Sequence, residues 1–311
     1  VLSGSRAALA RAITLAESRL PQHRRQAAQL LQEVSAGPGP AFRLGITGPP
    51  GVGKSTLVEA LGLHAIELGQ SVAVLAVDPT SPLSGGSLLG DKTRMERLAA
   101  HPRAYIRPSP SGDHPGGVAR ATRAAMALCE AAGYSCVMVE TVGVGQTEVE
   151  VSWLVDATLL LVQCGAGDEL QGLKRGAIEL ADVVAVPRCD GERQGMAREA
   201  ALNVRSALKM LAPAVPGWRT PVQTCSSLTG EGIPELWARL LAFRRHLEET
   251  GSLVRRRRLQ AARWFTRCID DRLRDDFYAR AGMEQRMERL KVEVVEGRLT
   301  PELAVEELFS S

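Results

Sequence analysis

Gly48, Gly53, Lys54 and Ser55 stand in the spacing G-x-x-x-x-G-K-[ST], inside a stretch at 44–57 where a short apolar run breaks into a glycine-rich turn and then a helical pattern. Residues of these types in this order bind phosphate. Glycines let the backbone turn tightly, so that successive N–H groups and the start of the following helix point at phosphate oxygens. Gly48, Pro49, Pro50, Gly51, Val52, Gly53, Lys54, Ser55 and Thr56 are therefore the expected cradle. Lys54 would bring a point charge to the β- and γ-phosphates, and the Ser55 hydroxyl would enter a Mg²⁺ shell.

Two further stretches carry carboxylates where such a loop needs them. Asp78 ends an apolar run, and the polar, glycine-rich segment to Met95 that follows contains Asp91. A long loop leaving the carboxyl end of a strand is where ligands of open α/β sheets bind, so Asp78 and Asp91 are expected near the Mg²⁺, directly or through water. At 137–146 a second apolar run ends in Glu140 and passes into a turn with Gly143 and Gln146. Glu140 could order metal-bound water, and the Gly143 N–H could approach the γ-phosphate. Gln146 could orient attacking water, but nothing in the sequence fixes its direction, and a loop hydrogen bond accounts for it as well. Lys54, Asp91 and Glu140 form the expected catalytic set, Ser55, Asp78, Asp91 and Glu140 the metal set. No protein nucleophile is evident, so water is the expected attacking group.

These residues must be held by a scaffold, and the sequence patterns supply one. Apolar runs at 71–77, 136–139, 157–162 and 183–186 alternate with helical patterns, which predicts an α/β fold with a mostly parallel central sheet covered on both faces. Residues 1–40 read as a helical extension broken at Pro21 and closed by the linker Gly37-Pro38-Gly39-Pro40, 41–250 as the phosphate-binding domain, and 251–311 as helical. The 311 residues include 45% hydrophobic, 23% charged and only 4% aromatic ones, with a net charge of +3. Such a composition fits a water-soluble protein and gives no case for a polyanion partner or a base-stacking surface. The interrupted run at 157–162 is too short to span a bilayer. Cys129, Cys136, Cys164, Cys189, Cys225 and Cys268 are scattered and read as small apolar residues in a reducing compartment. His23, His64, His101, His114 and His246 show no metal-ligand spacing. The run Arg255 to Arg258 reads as a solvated helix face balanced by Asp270, Asp271, Asp275 and Asp276.

The stretches at 48–56, 78–95, 140–146 and 167–176 together resemble the P-loop GTPases of the MeaB/ArgK group, which includes the mitochondrial methylmalonic aciduria type A proteins. The resemblance covers nearly the whole chain. It implies a GTPase that uses Mg²⁺, binds the adenosylcobalamin-dependent methylmalonyl-CoA mutase, gates loading of that enzyme's cofactor and protects it. It further implies that Gly167, Asp168, Glu169, Gln171, Lys174 and Arg175 lie in an extra switch loop relaying nucleotide state to the mutase. The C-terminal helices would serve homodimerisation, a cobalamin adenosyltransferase is admitted as a second partner, and nucleic acid and membrane are not. Without the family, Asp168, Glu169, Lys174 and Arg175 are a charged helix start.

One place departs from the family's pattern. GTPases read guanine with Asn-Lys-x-Asp after a strand, whereas Pro187-Arg188-Cys189-Asp190 stands here. Asp190 keeps the carboxylate for the guanine donors and Arg188 could stack on the base, but Pro187 replaces an Asn amide and lacks a backbone donor. The resemblance implies that Ser226, Ser227 and Leu228 offer backbone N–H to the guanine carbonyl. Tolerance at the Asn position leans the expectation toward the mitochondrial matrix, with bacterial cytoplasm the alternative, and a chain opening on Val1 would suit removal of a targeting segment. Three competing readings are a non-hydrolysing scaffold, a metal-delivery GTPase and an ATP-dependent kinase. The chain carries neither the Cys-x-Cys-Cys or His-rich segment expected of the second nor an acceptor pocket and base motif for the third.

Overall fold

The computed structural model describes residues 1–18, 20–35, 41–78, 95–110, 117–141, 146–164 and 175–310. Seven strands form one sheet: β1 Phe42–Thr47, β2 Val72–Asp78, β3 Ala104–Pro110, β4 Cys136–Thr141, β5 Ala157–Leu161, β6 Val183–Val186 and β7 Val222–Thr224. Their order is β3-β2-β4-β1-β5-β6-β7, and every pairing is parallel. The strands β4, β5 and β6 are buried at every position, the pattern of parallel strands covered on both faces.

Twelve helices lie among the described residues: α1 Arg6–Glu17, α2 Pro21–Val34, α3 Lys54–Glu67, α4 Glu96–Ala100, α5 Gly117–Ala131, α6 Gln146–Ser152, α7 Arg175–Glu179, α8 Gln194–Lys209, α9 Ile233–Glu249, α10 Ser252–Tyr278, α11 Met283–Val295 and α12 Pro301–Phe309. None is long and apolar enough to cross a membrane. On one face of the sheet Leu57 and Leu61 of α3 and Trp237, Leu240 and Phe243 of α9 pack against Ile46, Met138 and Leu159. Toward the β6–β7 edge, Ala197, Ala201 and Val204 of α8 cover Leu160, Val184 and Val222.

Two compact units divide at residue 257, one comprising Val1–Arg257 and the other Arg258–Ser311. The helices α1 and α2 fall in the same compact unit as the sheet. Arg6 explains part of this, since its Nη2 donates to the carbonyls of His101, Pro102 and Ala104 at 2.9, 2.7 and 2.6 Å. Arg107 on β3 pairs with Glu17 of α1 at 2.5 Å. The helical pattern breaks at Pro21 as expected: α1 ends at Glu17 and α2 opens on the proline, which is compatible with the first helical turn. Within the second unit Met283, Leu290 and Ala304 are buried and Phe277 stacks on Phe309 with ring centroids 4.7 Å apart.

The amino ends of the central strands are sealed by a charged network. Asp156, just before β5, accepts from the Arg43 N–H at 3.0 Å and from Arg257 Nε and Nη2 at 2.8 and 2.6 Å. Asp182, just before β6, accepts from the Thr158 N–H at 2.9 Å and from Arg256 Nη1 and Nη2 at 3.1 and 3.2 Å. Arg43 in turn pairs with Glu130 at 2.6 Å. The expectation that the four-arginine run is a solvated face is therefore wrong for Arg256 and Arg257. Buried carboxylates at the strand starts require cationic partners, and these two side chains supply them.

Candidate active site

Because all strands run parallel, the loops after β1, β2, β4, β5, β6 and β7 leave the same edge of the sheet. The turn after β1 is closed against β5: a Cβ on Gly48 would stand 2.8 Å from the Leu161 carbonyl oxygen and 2.9 Å from its Cβ. Only glycine lets the backbone pass there. Gly53, at φ 102°, is the N-cap of α3, so the helix begins at Lys54 with its free N–H groups facing the loop.

Lys54 is buried, and its Nζ donates to the carbonyls of Gly48 and Pro49 at 2.8 and 3.0 Å. Burial lowers its pKa, an effect opposed by the charge of Glu140. Glu140 reaches the same place from β4, where the register sets it beside Ile46 of β1, two residues before Gly48. Its Oε1 accepts from the Ser55 hydroxyl at 2.8 Å, and both groups are buried. Next to it the Thr141 hydroxyl donates to that of Thr47 at 3.0 Å. The result is a hydroxyl, a carboxylate and an ammonium group gathered at a helix N-terminus. Oxygen donors of this kind fit a Mg²⁺ ion, which Ser55 would hold directly and Glu140 directly or through water. Among the described residues no group of three or more His, Cys, Asp or Glu could hold a metal by itself. The backbone of Asp78 ends β2 on this edge, while Asp91 and Gly143 lie outside the described residues. Gln146 opens α6.

The loop after β6 bends back onto the phosphate loop. Arg188 is the one non-glycine residue at positive φ among those described, at 62°, a conformation that costs a side-chain-bearing residue about 1–3 kcal/mol. Its Nη2 donates to the Gly51 carbonyl at 2.6 Å, which holds the guanidinium over the loop rather than free to stack on a base. Pro187 is buried, and Asp190 is half-buried ahead of a short 3₁₀ turn at Gly191–Arg193, making no side-chain cap. A cavity of about 180 Å³ opens beside Arg188, between Val52, Cys164 and Arg193. The loop after β7 is joined to this one, since the Cys189 N–H donates to the Cys225 carbonyl at 3.1 Å. Ser226 is fully buried and its N–H donates to the Glu231 carbonyl at 2.8 Å. Its amide is thereby committed within the chain, and any donors to a guanine carbonyl from this loop are those of Ser227 and the exposed Leu228.

Of the expected switch loop, Gly167, Asp168, Glu169, Gln171 and Lys174 lie outside the described residues, and Arg175 is the first residue of α7. Two features were missed by sequence reasoning: the direct Ser55–Glu140 bond and the Arg188–Gly51 clasp. The first could have been anticipated from an acid at the end of an apolar strand beside β1. The second has no sequence signal, because nothing in Pro-Arg-Cys-Asp announces a left-handed arginine.

Residues 9–282 match the family model described as methylmalonyl Co-A mutase-associated GTPase MeaB. The chain belongs to the MeaB family. A probable GTPase of Mycobacterium tuberculosis (strain H37Rv) is 49% identical over 309 residues, covering 99% of this chain and 92% of the relative. The mitochondrial methylmalonic aciduria type A homolog of Mus musculus is 41% identical over 321 residues, covering 100% of this chain and 77% of the relative. A solved structure described as LAO/AO transport system kinase superimposes with a TM-score of 0.76 at 36% identity, over 99% of this chain and 93% of that one. As a MeaB-family member with this α/β P-loop architecture, the protein is a GTPase that binds GTP and GDP.

Proposed function

We propose that this MeaB-family GTPase acts as a nucleotide-timed chaperone of an adenosylcobalamin-dependent methylmalonyl-CoA mutase, gating cofactor loading and protecting that enzyme. The observation that carries this reading is the match over residues 9–282 to a family described as mutase-associated. In it, Lys54 and the amides of the phosphate loop stabilise charge developing on the phosphates, and water attacks. Ser55 and Glu140 would hold or order a Mg²⁺ ion together with Asp78 and Asp91, and the ion would supply positive charge to the phosphates. Asp190 reads guanine with help from the Ser227 and Leu228 amides, and Arg188 fixes the phosphate loop from above. In this reading adenosylcobalamin enters only through the mutase.

The stretch 167–176 follows β5 in the sequence, and its charges exceed what a phosphate contact requires. It is the segment proposed to couple nucleotide state to the mutase. A switch needs a differential interaction with the partner in its two states, typically about 1–3 kcal/mol. The helices after residue 251 serve a homodimer in this reading, and a cobalamin adenosyltransferase is the second partner. Between the two compartments, the 49% identity to the mycobacterial protein against 41% to the mouse one favours a bacterial cytoplasm over the mitochondrial matrix.

The test is phosphate release from GTP and from ATP, with and without the mutase. Asp168→Ala and Lys174→Ala are expected to keep near-parental basal hydrolysis and lose the mutase-dependent acceleration. Loss of basal turnover with intact stimulation would place these residues in catalysis instead.

A further inference from the structure

On the opposite edge of the sheet from the nucleotide, a groove of about 460 Å³ opens where β6 and β7 begin. Its floor is apolar, built from Ile178 of α7, Leu208 of α8, Leu211, Pro213 and the Trp218 ring. Its rim carries three cations, Arg205, Lys209 and Arg219, against one carboxylate, Glu179. This imbalance is local, since the whole chain has a net charge of only +3.

The walls are fixed before any ligand arrives. Trp218 Nε1 donates to the Asp182 carbonyl at 2.9 Å, and its ring leans on Phe243 and His246 with centroids 5.0 and 5.7 Å away. The Thr220 hydroxyl donates to the Ala181 carbonyl at 3.0 Å, and Arg205 Nη2 to the Val222 carbonyl at 2.8 Å. Trp218, Thr220 and Arg205 are thus held by backbone carbonyls just before β6 and at the start of β7. Lys209 and Arg219 line the groove and are exposed, so their charge is accessible to a ligand that enters it.

We infer that this groove is a second ligand site, for a small organic anion with an apolar body: a carboxylate or phosphate head on the Arg205–Lys209–Arg219 rim, the body against Trp218 and Leu208. Its volume lies in the range of small-molecule sites, and an apolar floor with a few convergent polar groups is their usual composition. Preorganised walls reduce the ordering cost of binding. The site is independent of the mutase reading, because none of its residues touches the phosphate loop.

The full chain is titrated with hexanoate, hexyl phosphate and neutral hexanol, following the Trp218 indole N–H resonance, which Trp218→Phe identifies among the four tryptophans. Both anions are expected to shift that resonance and to bind more tightly than hexanol, with the tighter anion naming the head group. The double variant Lys209→Glu, Arg219→Glu changes only exposed side chains, and it should keep GTP hydrolysis while weakening the anions at least about tenfold. The inference is overturned if neither anion titrates, if hexanol binds as tightly as they do, or if the double variant binds them unchanged.

Discussion

The two edges of this sheet treat charge in opposite ways. At the amino edge Asp156 and Asp182 are buried and each is matched within the chain, by Arg257 and Arg256. At the carboxyl edge Lys54 is also buried, but among the described residues it donates to two loop carbonyls, with Glu140 close enough to favour its charge. Charge that is neutralised internally stabilises the fold only if both partners remain. Charge left to face carbonyls is a burden on the fold that a phosphate relieves. Around these buried charges the amino edge is therefore built for stability and the carboxyl edge for nucleotide binding.

Removing one partner at the amino edge should have the largest effect. Asp156→Ala leaves the Arg257 guanidinium and the Arg43 N–H without their acceptor and is expected to cost about 3–5 kcal/mol, read from denaturant unfolding. A loss below 1 kcal/mol would erase the contrast between the edges. Lys54→Ala should leave the nucleotide-free protein folded with little change, while the stabilisation by GTP–Mg²⁺, about 2.7 kcal/mol at a hundredfold excess over Kd, disappears. Thermal unfolding of both proteins with and without nucleotide decides this.

Smaller effects are expected in the base-reading loop. Pro187→Asn should tighten GDP relative to ADP by about 0.5–1.5 kcal/mol, one net hydrogen bond, and Asp190→Ala should loosen it by more, because a charged acceptor serves two donors. Competition titrations that give equal GDP/ADP ratios in the parent and Asp190→Ala would remove this loop from base recognition. The smallest effect is a pH dependence. Burial sets the Lys54 pKa below its ordinary 10.5, so between the folded value and 10.5 the unfolded chain binds more protons. Stability of the nucleotide-free parent should rise relative to Lys54→Ala as pH climbs through that window, and parallel curves would contradict the assigned shift.

What could be seen in the sequence follows from how local each cause is. The phosphate loop was legible because a turn, a helix start and a charge must occur within a few residues, and Glu140 because an acid closing an apolar run is unusual. β3 was not read: it lies at the sheet edge, carries Arg107 and two prolines, and lacks the unbroken apolar run of the central strands. β7 is three residues long and gives no period. Arg256 and Arg257 were misread because their nearest acids in sequence are not their partners in space. A pointer did exist, for an aspartate precedes both buried strands, Asp156 before Ala157 and Asp182 before Val183. Ser226 could not be assigned from sequence, since the competing Glu231 carbonyl is brought to its amide only by the turn.

The Asp156–Arg257 and Asp182–Arg256 pairs span 101 and 74 residues, and in both the arginine comes last. A ribosome delivers β1 through β7 before it delivers the residues that neutralise two of their buried ends. Until Arg256 and Arg257 emerge, the nascent sheet carries unmatched carboxylates in its interior. Completion of the nucleotide-binding fold during synthesis therefore waits on the second turn of a helix whose arginines serve the amino edge of the sheet.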